Sequence, residues 1–394
     1  MAVDVESTIA TLLRDTHELA PVELRPVLSR ALAPLGFYEV EVFLADHEQR
    51  RLVPLPPAEG RDALGIDTTL PGRVYQRSTK ARESGDDSRV WFPVRDGVER
   101  IGVLLLAHTS WDDKLLRACD SLAALVASLV VSKSQYTDDF EFVRRSEEMK
   151  LGAELCWSLL PPLSFSTGDV SVSAALEPSY AVSGDSFDYA LNGRTLEVGI
   201  FDGMGHDLSA ARTTELIVSS YRHCRRRKLA LKDTYAVLDG VMREAFGPDR
   251  FVTAQLATLD TTNGQFDVLN AGHPGPLLVR DGHVVNLRGS RPALPFGLGD
   301  LDDAPVAVQT HTLQADDRLL FYTDGLTEAR AADGSEFGEE RLVDTVERAR
   351  SETHVLAEAV RRLMHQLGAF RDHVWHDDAT LVMVHWTPGR TTQA

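Results

Sequence analysis

Ile200-Phe201-Asp202-Gly203-Met204-Gly205-His206 ends an apolar run on a carboxylate, and three other stretches share that context. They are Ser183-Gly184-Asp185-Ser186-Phe187-Asp188-Tyr189, Phe321-Tyr322-Thr323-Asp324-Gly325 and His376-Asp377-Asp378-Ala379-Thr380. Each places an Asp beside Gly or Asp near the end of an apolar strand candidate. A single Asp-Gly is a turn signal; four such sites ask for another reason. A strand end buried by sheet packing is a poor place for a lone carboxylate, and several at one edge would repel each other and protonate. Divalent cations remove both problems, and oxygen-only ligation favours hard ions such as Mg²⁺ and Mn²⁺. Two of them about 4 Å apart activate a bridging hydroxide and clamp a phosphoryl group for in-line displacement. Gly203 and Gly325 are read as letting the backbone turn sharply and bring carbonyls near an ion.

Around these sites the pattern alternates strands with helices. Strand candidates are 170–176, 195–201, 252–259, 265–269, 277–279, 318–322 and 380–384. Helical blocks run over 209–226, 232–246 and, with a break, 339–367. Many strands with a few long helices predict an α+β domain whose sheets pack face to face with helices outside.

Upstream, apolar residues at helical spacing cover 5–33 and stop at Gly36. A strand follows at 38–44, a polar loop at 58–67, then strands at 89–94 and 101–107 around Asp96-Gly97. A helix over 112–131 closes the region. Trp91-Phe92-Pro93-Val94, Ile101-Gly102-Val103-Leu104 and that helix resemble a GAF domain, a small sensor module. Cys119 reads as a sensing thiol or, in preference, a buried structural one. Over 134–162, Phe140, Val143, Met149, Leu151, Leu155 and Leu159 are apolar among charges, and Pro161-Pro162 ends the run. This reads either as an amphipathic helix on its neighbour or as a coiled-coil linker that dimerises the chain.

The composition bounds the partners. The 394 residues carry a net charge of -18, which argues against a large nucleic-acid surface. The basic run Arg225-Arg226-Arg227-Lys228 reads, in preference to a dock for an acidic partner, as a solvated helix end. Three cysteines at no ligand spacing fit a reducing compartment. The start lacks a signal-peptide pattern, and the apolar stretch 122–131 is half a bilayer span. Cytoplasmic location, no membrane and no nucleic acid are the expectations.

The four acidic stretches, in this order, resemble the bacterial branch of the metal-dependent PPM (type 2C) phosphatases, the branch of stage II sporulation protein E and of the phosphatases that activate the general stress sigma factor. Leu159-Leu160-Pro161-Pro162, Asn270-Ala271-Gly272-His273-Pro274 and Thr323-Asp324-Gly325-Leu326-Thr327-Glu328-Ala329 add to the likeness. The resemblance implies a PPM-type β-sandwich flanked by helices. It divides the chain into a GAF-like α/β sensor domain (1–133), a linker helix (134–162), a phosphatase domain (163–388) and a disordered tail (389–394).

It also implies that Asp202 bridges two ions, Mn²⁺ or Mg²⁺. Asp185 and the Gly203 carbonyl help hold one ion, and Asp324 and Asp377 the other. Asp378 binds an accessory ion or orients a ligand. A metal-bridging hydroxide attacks a phosphoserine or phosphothreonine without a phosphoenzyme. The implied substrate is a phosphorylated STAS-type anti-sigma-factor antagonist, and the implied state a homodimer through the linker or sensor. Asp188 either supports a ligand or sits in a turn, and His273 and His376 read as turn or packing residues.

Three positions depart from the family pattern. Ser183 stands where Gly is frequent. Asp207 replaces a Gly and reads either as a charge that repels a phosphate or, in preference, as a helix cap. Met204 occupies the place of a general-acid His in eukaryotic members, a role His206 could fill, although it reads as structural. Other phosphatase chemistries fail on spacing. Six residues after Cys119, Cys156 and Cys224 stand Leu125, Pro162 and Ala230 rather than Arg, and Gly-Lys never occurs. Gly203-Met204-Gly205 has Leu208 where a dinucleotide fingerprint needs its third glycine. The rival from another class is a catalytically silent phosphatase-like binding protein, which would have lost the metal-site carboxylates.

Overall fold

The computed structural model describes residues 5–16, 20, 23–56, 62–181, 184–205, 208–285, 287, 289, 291–353, 355–371 and 377–389. They form two compact units, Met1–Glu148 and Met149–Ala394. Ser183, His206, Asp207, His376 and the tail beyond Gly389 lie outside the described residues.

In the first unit, two-residue alternation sends alternate strand residues to two different cores. Its strands are β1 (Phe37–Ala45), β2 (Arg51–Leu55), β3 (Leu64–Gly65), β4 (Ala81–Glu83), β5 (Asp86–Asp96) and β6 (Glu99–His108). They make one sheet in the order β3-β2-β1-β6-β5-β4. Val42, Leu44, Phe92 and Leu104 face helices α1 (Val5–Asp15), α2 (Leu24–Leu32) and α4 (Asp113–Lys133). Phe43, Trp91, Val103 and Leu105 face the opposite side, under α3 (Leu70–Arg77).

The helix read over 5–33 is interrupted between α1 and α2, a stretch that carries Pro21. Asp112 caps α4, its carboxylate accepting from the Leu115 N–H at 2.7 Å. By length and composition α4 could cross a bilayer, so the apolar segment is twice as long as 122–131 suggests; half of it is buried in this unit. Cys119 is fully buried there, and burial pushes its thiol up to about 12. It is therefore a packing residue with little thiolate at neutral pH.

The linker reading needs correction. In place of one helix over 134–162 there are two short ones, α5 (Asp139–Arg144) and α6 (Leu151–Leu159). Phe140 and Val143 of α5 bury in the first unit's core. Met149, Ala153 and Cys156, before and within α6, bury in the second unit's core. Of the apolar positions that suggested a coiled-coil seam, Phe140 and Val143 go to one interior and Met149 and Leu155 to another, while Leu151 is exposed.

The second unit is a sandwich with helices on both outer faces. One sheet has the order β15-β12-β11-β10-β9, from β9 (Asp185–Asn192), β10 (Thr195–Gly203), β11 (Val252–Asp260), β12 (Gln265–Ala271) and β15 (Gln309–Thr312). The other has the order β14-β13-β16-β17-β8-β7, from β7 (Ser164–Ser166), β8 (Val170–Glu177), β13 (Leu277–Arg280), β14 (His283–Val285), β16 (Arg318–Tyr322) and β17 (Ala379–Trp386).

Between the sheets lie Phe187, Val198, Ile200, Ala257 and Phe266 from one side and Val172, Leu319, Phe321, Val382 and Val384 from the other. Outside the first sheet, Phe201, Ala254 and Leu256 pack on α7 (Leu208–Arg226) and α8 (Leu231–Phe246). Outside the second, Leu320, Leu381 and Met383 pack on α10 (Gly338–Glu352) and α11 (Leu356–Phe370). Fully burying one such Phe or Leu contributes about 2 kcal/mol, so the three layers supply most of the unit's cohesion.

The basic run at the end of α7 is less solvated than its sequence suggests. Asp188 on β9 is 1% exposed. Arg222 and Arg225 bracket it at 2.8 and 2.7 Å. Arg222 also donates to the Leu159 carbonyl at the end of α6. One buried carboxylate thus ties β9, α6 and α7 together through guanidinium geometry. Replacing Asp188 by Ala leaves two partly buried guanidinium groups without their anion. We expect a loss of about 3–5 kcal/mol in unfolding free energy, measured by urea titration. A midpoint equal to wild type would show the clamp to be idle.

Candidate metal centre

Alternation also builds the site. Val198 and Ile200 point between the sheets, and two residues on, Asp202 continues that face. Phe187 places Asp185 on the same face of β9, Ala257 places Thr253 on that of β11, and Phe321 and Val382 place Thr323 and Thr380 opposite them. The register then aligns the pieces: Asp202 stands opposite Asp185 on one side and Thr253 on the other. At one end of the sandwich, therefore, the inner layer changes from apolar to acidic and hydroxylic.

Asp185 is 2% exposed, and its carboxylate accepts from the Thr323 hydroxyl at 2.6 Å. Thr323 is fixed in turn, because its hydroxyl oxygen accepts from the Thr380 N–H at 2.9 Å and its own N–H donates to the Thr380 carbonyl at 3.0 Å. Burial, then the charges of Asp202 and Asp378, hold the Asp185 acid well above the carboxylate range. Burial, then Asp324 and Asp377, raise Asp202 to about 7. Asp324, the first residue of the short helix α9 (Asp324–Thr327), is raised by burial, then by Glu328 and Asp377. Asp377 is exposed beside them.

Asp378 is buried, and its side chain is engaged with backbone. One oxygen accepts from the Gly184 N–H at 2.7 Å and the Asp185 N–H at 3.4 Å. This contact fixes the backbone on which Asp185 stands.

The glycines act by closeness rather than by turning. Gly184, Gly203 and Gly325 all lack the left-handed φ that marks glycine turns. A Cβ on Gly325 would sit 1.8 Å from the Asp378 carbonyl oxygen, and one on Gly184 would sit 2.6 Å from the Gly203 and Gly205 carbonyl oxygens. A Cβ on Gly203 would meet the Thr214 hydroxyl at 2.7 Å. That hydroxyl donates to the Gly184 carbonyl at 2.5 Å and pins α7 to the start of β9.

Thr253, Thr323 and Thr380 were invisible in a search for acids. The same two-residue period that placed the carboxylates would have found them. Beside this edge opens a cleft of about 600 Å³, lined by Asn270, His273, Tyr322 and Glu328 among others.

The fit of a cation to this edge is a matter of donor chemistry. Among the described residues, no three His, Cys, Asp or Glu side chains converge into a ready-made ligand set. The donors at this edge are oxygen only, and the charges acting on Asp185 and Asp202 are those of other carboxylates. A hard divalent cation suits both facts. Asp185, Asp202, Asp324, Asp377 and the Gly203 carbonyl fit such a group.

The metal-free protein should show the strain as a pH dependence. Asp202 keeps its proton up to about pH 7 in the folded chain, whereas an unfolded chain releases it near ~3.9. Between those values the folded state binds more protons, so stability falls as pH rises from about 4 to about 7. Chemical denaturation in a chelator should show this fall, and Asp202→Asn should flatten it, with the gain over wild type largest above pH 7. Parallel curves for the two proteins would remove the assigned cause.

Residues 192–387 match the family described as Stage II sporulation protein E (SpoIIE). Protein IcfG of Synechocystis sp. is 24% identical over 267 residues, 60% of this chain and 41% of IcfG. The chain therefore spans about two fifths of that curated relative. Among solved structures, the RsbU and RsbW domains of Rv1364c from Mycobacterium tuberculosis superpose with a TM-score of 0.48 at 23% identity, over 58% of this chain and 63% of that one. The PP2C phosphatase domain of SpoIIE from Bacillus subtilis, with a fragment of its regulatory domain, gives 0.48 at 21% identity, over 57% and 64%. The C-terminal unit of this chain belongs to the stage II sporulation protein E family, in the bacterial branch of the PPM-type phosphatases.

Proposed function

We propose that this chain is a metal-dependent protein serine/threonine phosphatase that acts in the cytoplasm on a phosphorylated STAS-type anti-sigma-factor antagonist. The observation that carries the reading is the group of mutually repelling carboxylates, Asp185, Asp202 and Asp324, gathered from three elements. Family membership supports the reaction class and, by extension, the substrate. The N-terminal unit would serve as a GAF-like sensor. Its support is architectural: one antiparallel sheet between a helical layer and a single short helix. A homodimer through a continuous coiled coil loses its support, because the linker is two short helices whose buried residues belong to different units; a homodimer through the sensor unit stays part of the proposal.

In this reading Asp202, Asp185, Asp324, Asp377 and the Gly203 carbonyl would hold the Mn²⁺ or Mg²⁺. When bound, the ions polarise the phosphoryl oxygens and make water acidic enough to attack phosphorus. The residues of the chain do the positioning. Thr323 holds Asp185, and Asp378 holds the backbone on which Asp185 stands. Met204 is 39% exposed and carries no proton to give, so the leaving alkoxide takes its proton from water.

Hydrolysis of an aryl phosphate and of a phosphoserine peptide, with Mn²⁺ titrated, tests the proposal. Wild type should turn over only with metal, and Asp202→Ala should lose at least about a hundredfold, the scale of removing one key electrostatic group. Wild type that binds Mn²⁺ in calorimetry yet hydrolyses neither substrate would instead mark a silent binding domain.

A further inference from the structure

One side chain touches both sheets at the acidic end. His273 lies in the turn after β12 and is 5% exposed. The turn is locked on both sides. The Asn270 amide donates to the His273 carbonyl at 2.6 Å, and the His273 N–H donates back to Asn270 Oδ1 at 2.8 Å. Gly272 sits at φ +68, where a Cβ would press on Pro295 at 2.7 Å. The imidazole therefore has a fixed address.

Its two nitrogens meet different partners. Nε2 is 3.0 Å from the Tyr322 carbonyl oxygen, and Nδ1 is 2.8 Å from the Thr253 hydroxyl. Burial lowers the ring to about 4, so it is neutral at physiological pH and carries one proton. A carbonyl can only accept, which puts that proton on Nε2. Nδ1 is then an acceptor, and the single hydroxyl proton of Thr253 must go to it. Thr253 is thereby fixed in rotation, with its oxygen 3.3 Å from Asp202 Oδ2. That contact is the path by which the ring bears on Asp202.

The consequences run to two carboxylates on different sheets. Thr253 stands directly across β10–β11 from Asp202, and Tyr322 ends β16 two residues before Asp324. We propose that His273 is a positioning residue, a strut between the sheets that sets the orientation of Asp202 through Thr253 and the place of Asp324 through the Tyr322 carbonyl. Its output is the affinity of the site for a divalent cation. This rests on the reading of Asp202 and Asp324 as cation ligands. It also gives the stretch Asn270-Ala271-Gly272-His273 a task beyond turning the chain.

The test is Mn²⁺ affinity by calorimetry on the full chain, with melting temperature measured alongside. His273→Leu removes both functions of the ring. His273→Gln keeps a donor and an acceptor on one carbon, as the ring does. Thr253→Val removes the hydroxyl and keeps the shape. We expect His273→Leu and Thr253→Val each to weaken Mn²⁺ binding about 10–100-fold, the range for groups that orient metal ligands. His273→Gln should recover most of the loss. The double variant should be no weaker than the worse single one, because the two residues act in series. A folded Thr253→Val or His273→Leu that binds Mn²⁺ as wild type does would overturn the strut, whatever the melting temperature, and so would losses that add. Wild type that binds no Mn²⁺ would overturn the cation reading and the strut together, whereas equal binding by wild type and variants sinks the strut alone.

Discussion

Antiparallel pairing sets Asp202 directly opposite Asp185, and sheet packing buries Asp185 and part of Asp202. Two carboxylates held at that register cannot both ionise cheaply. The nearby structure is arranged around this constraint. The Thr323 hydroxyl is oriented by Thr380 so that its proton reaches Asp185. Asp378 spends its carboxylate on backbone N–H groups of the preceding turn. Gly184 and Gly325 leave no room for a side chain because the main chains that carry the acids pass within contact distance of them. Each feature makes sense as a means of keeping like charges close.

The same alternation that makes the sandwich core makes the site. On β10, Val198 and Ile200 fill the interior and Asp202 ends it, so no separate loop is needed to carry the acid. This is why so much was legible beforehand. The apolar runs marked the strands, and the acids that interrupt them marked the edge. The strand that escaped was β9: Asp185-Ser186-Phe187-Asp188-Tyr189 reads as an acidic motif because its polar residues mask a buried period of two. The short edge strands β7, β14 and β15 gave too few residues for any period to register.

The linker went wrong for a different reason. Helical spacing reports that a face is apolar, but not what covers it. Phe140 and Met149 sit in one periodic pattern yet belong to different cores. The basic run was misread similarly, since Arg225 finds Asp188 some 37 positions away in the chain, a pairing no local window contains. Thr253 and His273 share that difficulty: their meaning lies in a register across β10 and β11 and in a carbonyl on the other sheet.

Asp185 and Asp188 let one strand argue the case for a cation by comparison. Both are almost fully buried on β9. Asp188 faces α7 and receives two guanidinium groups within 2.8 Å, the ordinary way to bury a carboxylate. Asp185, three residues earlier and facing between the sheets, receives a threonine hydroxyl, and the charges acting on it come from Asp202 and Asp378. The fold can bring arginines to β9, and among the described residues it brings them to only one of its faces. An acidic edge that served structure alone would be relieved by such a partner, or replaced by the apolar residues that precede it on each strand. Leaving the charge uncompensated costs stability, and a site that takes its compensation from a bound divalent ion gives that cost a use.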